Sequence, residues 1–382
     1  MELQQTATPQ DPRSQDGIAE ASQARLIWDK FRRHKVALVS LYIVAAFYVV
    51  ALFAEFFQPF DPTLTSRSQV YHPPQVLHFT YVDATGSRVF APHVLKQKLT
   101  RDKLTLKASY ETLEHERVFL RLFPKVDSYK LAGFIPANRK LFGPVDPGER
   151  VFLFGSDRLG RDMFSRVVAG TRISMSIGLV GVGMSLVLGL IIGGAAGYFG
   201  GWFDTVSSRV IELMLSIPTI PIWLGLSAAL PPSLDPMTRY FMITVILSLI
   251  GWTELARVVR GRFMAMRTED FVTAARLDGA SPRRVIFRHM MPSLVSHIIA
   301  SVSLAIPVMI LAETSLSFLG LGLMPPSISW GVLLKEAQNI RSIAQAEWLF
   351  IPGGFVIVAV LALNFLGDGL RDAADPYSQH GA

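Results

Sequence analysis

The chain has no cysteine among its 382 residues. Disulfides, thiolate metal sites and cysteine nucleophiles are thereby excluded. Charge is sparse too: Asp, Glu, Lys and Arg make up 18% of the residues, half of the chain is hydrophobic, and the mean hydropathy is positive. That balance suits a polytopic membrane protein better than an average soluble enzyme. Catalytic patterns are also missing. No lysine is followed by Ser or Thr, so there is no G-K-[ST] phosphate loop. There is no H-E-x-x-H motif and no G-x-S-x-G elbow. The eight histidines are scattered, and His34, His289 and His297 lie near the edges of apolar runs. The expectation is a chain with no catalytic, cofactor or metal site of its own, unable to hydrolyse ATP by itself. Uphill movement of a solute would then draw its energy from a partner or an ion gradient.

What the sequence does hold is apolar runs of bilayer length. A span takes about 20 apolar residues. Six segments qualify: 36–57, 173–198, 207–230, 239–257, 293–318 and 349–367. Few charges interrupt them, in keeping with a cost of about 2.5–3.5 kcal/mol for a central Arg or Asp on the insertion scale. The predicted fold is an all-α polytopic membrane protein of six transmembrane helices. Residues 1–24 are polar and read as disordered. The basic stretch "RLIWDKFRRHK" follows, and then the first apolar run with no cleavage signal after it, so this run reads as an uncleaved span behind a cytoplasmic tail, 1–35. The formal charge of +7 sits beside the apolar runs, which argues against nucleic acid as a partner. The connection 258–292 carries Arg260, Arg262, Arg267, Arg276, Arg283, Arg284 and Arg288, whereas the short loop "PPSLDPMTR" has only Arg239. The positive-inside rule therefore puts 258–292, the N-terminus and the tail 368–382 in the cytoplasm.

Residues 58–172 then lie outside the membrane as an insertion with an interfacial end. "VLHFTYV", the turn "DATG", "SRVF", "RVFLRLF" and "YKLAGFI" read as strands and turns. A small β subdomain and an irregular loop packed on the spans both remain open. In the second span Gly189, Gly193 and Gly197 recur every fourth residue, which favours close helix packing. Pro218 and Pro221 fall in the third span and Pro307 in the fifth, each a potential kink. Intramembrane acids are functional candidates by default, and Glu313 in "ILAETSLSFLGLG" is one. A proton carrier would need several near the midplane, so Glu313 and Pro307 read as packing or gate residues on the pathway. Arg209 and Glu212, one turn apart, are placed to pair.

Two stretches remain. In "FVTAARLDGASPRRVIFRHMMP", Phe271, Ala274, Ala275 and Leu277 offer small or apolar contact surface, and Gly279 permits a tight turn. Ser281 and Pro282 are suited to start a helix as its cap and first residue. Arg283, Arg284 and Arg288 suit lipid phosphates or acidic groups of another protein. This stretch resembles the cytoplasmic EAA loop of ABC importer permeases: Ala274, Ala275, Gly279 and Pro292 match, with Thr273 in place of the usual glutamate and Met291 in place of leucine. "FGSDRLGRDMFSRVVAGTRIS" is similar to the signature of the dipeptide/oligopeptide/nickel permease family. There Gly155, Asp157, Gly160, Arg161, Asp162, Ser165, Arg166, Gly170 and Arg172 match, and Ser156 replaces threonine. "AETSLSFLGLG" and "NFLGDGLRDAADP" resemble the same family, so the likeness covers 150–376. It is strongest to the second-subunit (C-type) permeases, and the long insertion is similar to that of murein-peptide/microcin-type members. On the residues alone, 155–172 reads as an ion-pair network at the outer membrane surface leading into the second span.

The resemblance implies a type I ABC importer permease fold in a bacterial inner membrane. It implies a second permease, two cytoplasmic ATPases that bind ATP and Mg2+, and a periplasmic solute-binding protein, with the EAA loop seated on an ATPase. The solute class it implies is peptides or similar small oligomers. Two rivals are an ion-coupled secondary transporter or channel acting alone, and a membrane scaffold whose 58–172 segment binds a partner.

Overall fold

The computed structural model describes residues 23–82, 86–101, 108–339 and 346–374. A short helix, α1 (Gln23–Arg33), leads into α2 (Lys35–Leu52) and one further turn, α3 (Ala54–Phe57). An insertion carries six strands among its described residues. Then follow α4 (Met163–Phe199), α5 (Gly201–Ser216), α6 (Thr219–Ala228), α7 (Pro236–Met266), α8 (Asp270–Leu277), α9 (Pro282–Phe318), α10 (Trp330–Ala337) and α11 (Ile351–Ala374). The long elements are helices because hydrocarbon offers no water to an open backbone, and a helix satisfies its N–H and C=O groups internally.

Among the described residues five helices, α2, α4, α7, α9 and α11 with its leading 3-10 turn, are long and apolar enough to cross a membrane. The expected third span, 207–230, is not one helix: α5 and α6 meet at 88°, and the pair counts as a sixth span only when taken together as one broken span. At about 24 and 15 Å, neither limb alone crosses a hydrocarbon core of about 30 Å. The prolines account for the break. Pro218 has no N–H with which to extend α5 and serves as the N-cap of α6, while Pro221 lies in the first turn of α6, where a missing N–H goes unfelt. Other boundaries shift as well. The helix expected from 173 starts at Met163, α7 runs on to Met266, and α11 carries the expected tail from 368 on as helix to Ala374. Residues 23 and 24 belong to α1 rather than to a disordered stretch; residues 1–22 and 375–382 lie outside the described residues.

α4 is about 55 Å long and joins the two ends of the bundle. It packs most closely on α7, along the expected glycines. A Cβ at Gly193 would lie 2.4 Å from Ala256 O, and one at Gly197 2.6 Å from Arg260 O. Ser248 Oγ adds a hydrogen bond to Gly181 O at 3.0 Å. Arg209 and Glu212 do pair, at 2.9 Å on the exposed face of α5.

The insertion resolves into two antiparallel sheets. One has the order β1 (His78–Val82), β2 (Arg88–Arg101), β3 (Ala108–Leu122), β6 (Phe142–Pro144); the other is the hairpin β4 (Lys125–Leu131) and β5 (Ile135–Arg139). Val94 pairs with Val118, and both pack with Val151 beneath the larger sheet. Most of the expected "DATG" turn, 83–85, lies outside the described residues. The sheets sit at the end where α4 begins. Arg172 near that end holds the carbonyls of Ala51 and Leu52, so α2 starts at the opposite end. There Phe31, Ala37 and Ala373 form a cluster, and Val272 of α8 packs with Tyr198. The first and last described residues thus share an end with the 267–292 connection.

Gly193→Val should lower the thermal midpoint in detergent through a loss of about 1–3 kcal/mol. Gly183→Ala, whose Cβ would meet nothing within 4 Å, should leave it in place. Equal midpoints for the two variants would remove the α4–α7 contact as a source of stability.

Candidate functional site

At the end away from the sheets, α8 stands on the bundle by one face only. Val272 and Ala275 are buried against Tyr198 of α4, Phe263 of α7 and Leu294 of α9. Ala275 was expected to offer contact surface to a partner; it faces the bundle instead, because it shares a helix face with Val272 three residues earlier. Phe271, Thr273, Ala274 and Leu277 point away and are exposed, Leu277 at 84%. Arg276 lies over the Tyr198 ring at 4.9 Å.

Gly279 ends α8 with φ +76. Gly279 N donates to Arg276 O and Ala280 N to Ala275 O, each at 3.0 Å, the paired bonds of a Schellman cap. A Cβ there would meet nothing within 4 Å, so glycine is required by the backbone angle and not by space. Ser281 then caps the next helix, its Oγ accepting from Arg284 N at 3.4 Å, with Pro282 at the first position, as expected. Arg283, Arg284, Arg288 and Phe287 are exposed. Residues Val285–Met290 form a π-helical stretch in which Met291 N reaches Ile286 O. Pro292, which cannot donate, stands where the helix returns to α geometry.

At the sheet end the residues 155–172 form a compact junction. Asp157 is fully buried; its Oδ2 is 2.6 Å from Arg161 Nε and 2.9 Å from Arg166 Nη1. Glu336 of α10 closes the network, 2.8 Å from Arg161 and 3.2 Å from Arg166. Asp162 stays outside these pairs. It caps α4, its Oδ2 accepting from Ser165 N at 2.8 Å, and burial pushes its carboxyl up to about 6 against the pull of the Ser165 bonds. Ser165 Oγ in turn accepts from Phe60 N at 3.2 Å. Gly160, at φ +69, admits the Ser66 carbonyl where a Cβ would lie 2.0 Å from it. Gly155, also at positive φ, lies against Trp348 and the His72 carbonyl. Gly170 takes the start of α10, Trp330 included. His72 is buried between Tyr110 and Phe152, its Nδ1 2.8 Å from Pro73 O; burial holds its ring down to about 4 from the ordinary 6.5. Arg172 pairs with Glu55 of α3, with Nη2 donating to Oε2 at 2.7 Å.

Glu313 is buried where α9 meets α10. Its Oε1 accepts from Ser317 Oγ and from Ser329 Oγ, both at 2.8 Å, and Ser329 also caps α10 by accepting from Val332 N. Among the described residues it has no salt bridge. Pro307 is buried within α9 six residues, about 1.7 turns, earlier. The sequence reading missed Glu336, Glu55 and Ser329. Only Glu55 carried a signal, as the one acid within the first apolar run, 36–57. No group of three or more metal-ligating side chains occurs among the described residues.

Residues 185–378 match the family described as binding-protein-dependent transport system inner membrane component, and residues 22–74 match the N-terminal TM domain of oligopeptide transport permease C. Neither match includes 75–184. The chain is 37% identical over 225 residues to the dipeptide transport system permease protein DppC of Bacillus subtilis, covering 58% of this chain and 68% of that one. It is 32% identical over 260 residues to the oligopeptide transport system permease protein OppC of the same organism, covering 68% and 80%. Among solved structures, the inward-facing MetNI methionine ABC transporter aligns at 16% identity and a TM-score of 0.42, over 56% of this chain and 98% of that one.

Removing Asp157 leaves the buried Arg166 and the partly buried Arg161 to share the one carboxylate of Glu336, so Asp157→Ala should destabilise the chain by about 3–5 kcal/mol. The pair Asp157→Asn with Arg166→Met should recover most of that loss in thermal unfolding. If the double variant is no better than the single, the ion pair is not the cause. Because the buried His72 ring binds its proton only below about 4, while in the unfolded chain it does so below 6.5, stability is complete above 6.5 and falls as pH drops towards 4. His72→Phe should flatten that fall when unfolding midpoints are measured across the window.

Proposed function

The chain belongs to the family of binding-protein-dependent transport system inner membrane components, and from that premise we propose that it is the second-subunit permease of an ABC importer for peptides or similar small oligomers. Beside a second permease it forms the translocation path across the inner membrane, with both termini in the cytoplasm. A periplasmic binding protein delivers the solute. Two ATPase subunits bind ATP and Mg2+ and act on the 270–292 segment; this chain carries neither cofactor.

The observation that carries the reading is α8. A short helix rests by Val272 and Ala275 on three spans at once and turns Phe271, Thr273, Ala274 and Leu277 outward. The Gly279 cap holds it at a fixed angle to the next helix. Exposed apolar side chains on a helix so firmly seated suit a protein socket. Thr273 gives that socket a hydroxyl where related loops present a carboxylate. The arginines 283, 284 and 288 flank the contact and suit acidic groups or lipid phosphates.

The residues 155–172 act as the outer keystone of the path rather than as a solute site, since Asp157, Arg161 and Arg166 are spent on one another and on Glu336. Glu313 and Pro307 shape the helix contact on the pathway side of α9.

Leu277→Asp tests the reading, since that side chain touches little within the chain. It should leave the unfolding midpoint of the purified chain unchanged and weaken co-purification of the ATPases by more than about tenfold, or 1.4 kcal/mol. Gly279→Val should uncouple ATP hydrolysis from transport in proteoliposomes holding all subunits, while Gly279→Asn, which tolerates positive φ better, should retain more of it. Unaltered coupling in both Leu277→Asp and Gly279→Val would sink the assignment of the loop. Solute flux through the purified chain alone, without ATP, would favour the ion-coupled carrier or channel.

A further inference from the structure

The hairpin β4–β5 has no role in the reading above. It does not join the larger sheet. Instead it is tied to the end of a span. Ala132 N in its turn donates to Glu55 Oε2 at 3.2 Å, Leu141 N donates to Phe56 O at 2.8 Å, and Lys140 Nζ donates to Gln58 O at 2.8 Å. Phe123, just before the hairpin, stacks on Phe56 at 6.3 Å. Glu55 stands three residues past the last residue of α2, about 4.5 Å of helix rise, and is itself clamped by Arg172 of α4. The turn is therefore held level with the point where two spans leave the hydrocarbon.

The turn's shape aims its side chains. Ala132 and Gly133 both have positive φ, 51 and 86, and Phe134 N donates to Leu131 O at 3.2 Å, which makes a type I′ turn. The Glu55 bond to Ala132 fixes a residue that would otherwise avoid that conformation. Phe134 and Ile135 follow directly, exposed at 75% and 42%. Lys125, Lys130 and Arg139 are exposed on the same two strands, against the single acid Asp127. The adjoining face of α2 is apolar and exposed at Val49 and Leu52. Aromatic tips with basic flanks at the level of a span's end have the composition of a membrane–water interface.

We propose that the β4–β5 hairpin is an interfacial anchor: Phe134 and Ile135 enter the lipid surface beside α2, and Lys125, Lys130 and Arg139 bind the phosphates of anionic phospholipids there. The anchor fixes the insertion to the bilayer and so sets the height of the 155–172 junction above it. This rests on the membrane-spanning fold alone and stands or falls apart from the role of α8.

The lack of cysteine makes the test direct. The full chain carrying Phe134→Cys is labelled with bimane at its one thiol and placed in nanodiscs of phosphatidylcholine and phosphatidylglycerol, with or without lipids brominated near the headgroup. The measurement is made on the chain alone and again with the second permease assembled. Emission should be quenched roughly twofold by bromines at a depth of about 5–10 Å, equally in both assemblies. Ile135→Cys, labelled in the same way, should respond alike and covers a folding defect peculiar to position 134. Adding Lys125→Gln, Lys130→Gln and Arg139→Gln should abolish any gain in quenching with phosphatidylglycerol content. Absence of lipid-dependent quenching at both positions overturns the anchor. Quenching that disappears on assembly overturns it too, by showing that the hairpin meets the second permease and not lipid.

Discussion

The bundle is organised by the places where α4 has no side chain. Lipid tails are as apolar as leucine, so burial from lipid gives spans no hydrophobic reason to associate, and close packing has to do so. Gly193 and Gly197 bring α7 to backbone contact, Gly178 receives Ile310 of α9, and Gly170 receives the start of α10. One helix thus receives three neighbours at different heights. Its register against each is set by which residue is missing a Cβ, and a shift of one residue would put side chains into all three contacts at once.

The length of α4 explains where the charges go. At about 55 Å it exceeds a hydrocarbon core of about 30 Å, and the excess at its start is covered by the insertion and α10. Asp157 and Arg166 are buried there in protein and not in lipid, with the partly buried Glu336 beside them. Arg166 is nearly inaccessible yet has two carboxylates within 3.2 Å. Such a network contributes little net stability over an apolar core, but the loss of one member leaves an uncompensated charge. Its geometry therefore ties three separate parts of the chain to one arrangement: the loop before α4, α4 itself, and α10. Arg239 illustrates the same economy of charge, since its guanidinium is buried and donates to Pro231 O at 2.8 Å.

Much of this was legible in the residues because membrane helices announce themselves by composition. The apolar runs marked the spans, the four-residue glycine spacing marked the α4–α7 contact, and the Ser-Pro pair marked the start of α9. Pro218 and Pro221 were visible too, yet an apolar window cannot distinguish a kink from a right-angled break. The direction in which Ala275 faces was hidden, because an eight-residue helix of small side chains carries little periodicity. Glu336 was hidden for a different reason. Its partners lie some 170 residues away in the chain, and no local pattern encodes a contact made by folding. The β hairpins could be glimpsed as alternation in 76–135, but their order in the sheet, with β6 beside β3, depends on chain closure.

The placement of α8 bears on how a push at one end of the molecule would travel. Its buried face touches Tyr198 and Phe263, near the ends of α4 and α7, and Leu294 in the first half of α9. A displacement of α8 is therefore delivered to three helices together. Between α4 and α7 there is no layer of side chains to deform along Gly193 and Gly197, so those two move as one body. The bent pair α5–α6 is not part of that cluster. Its links to the unit are the Asp204–Arg260 ion pair, with Nη2 donating at 2.9 Å, a small apolar cluster around Ile211 of α5, and Trp223 and Leu224 of α6, which pack with Ile243 and Leu247 of α7. Interfaces that are close-packed transmit motion and those that are sparse absorb it. The element best able to change its angle relative to the rest is thus the one already broken at Pro218.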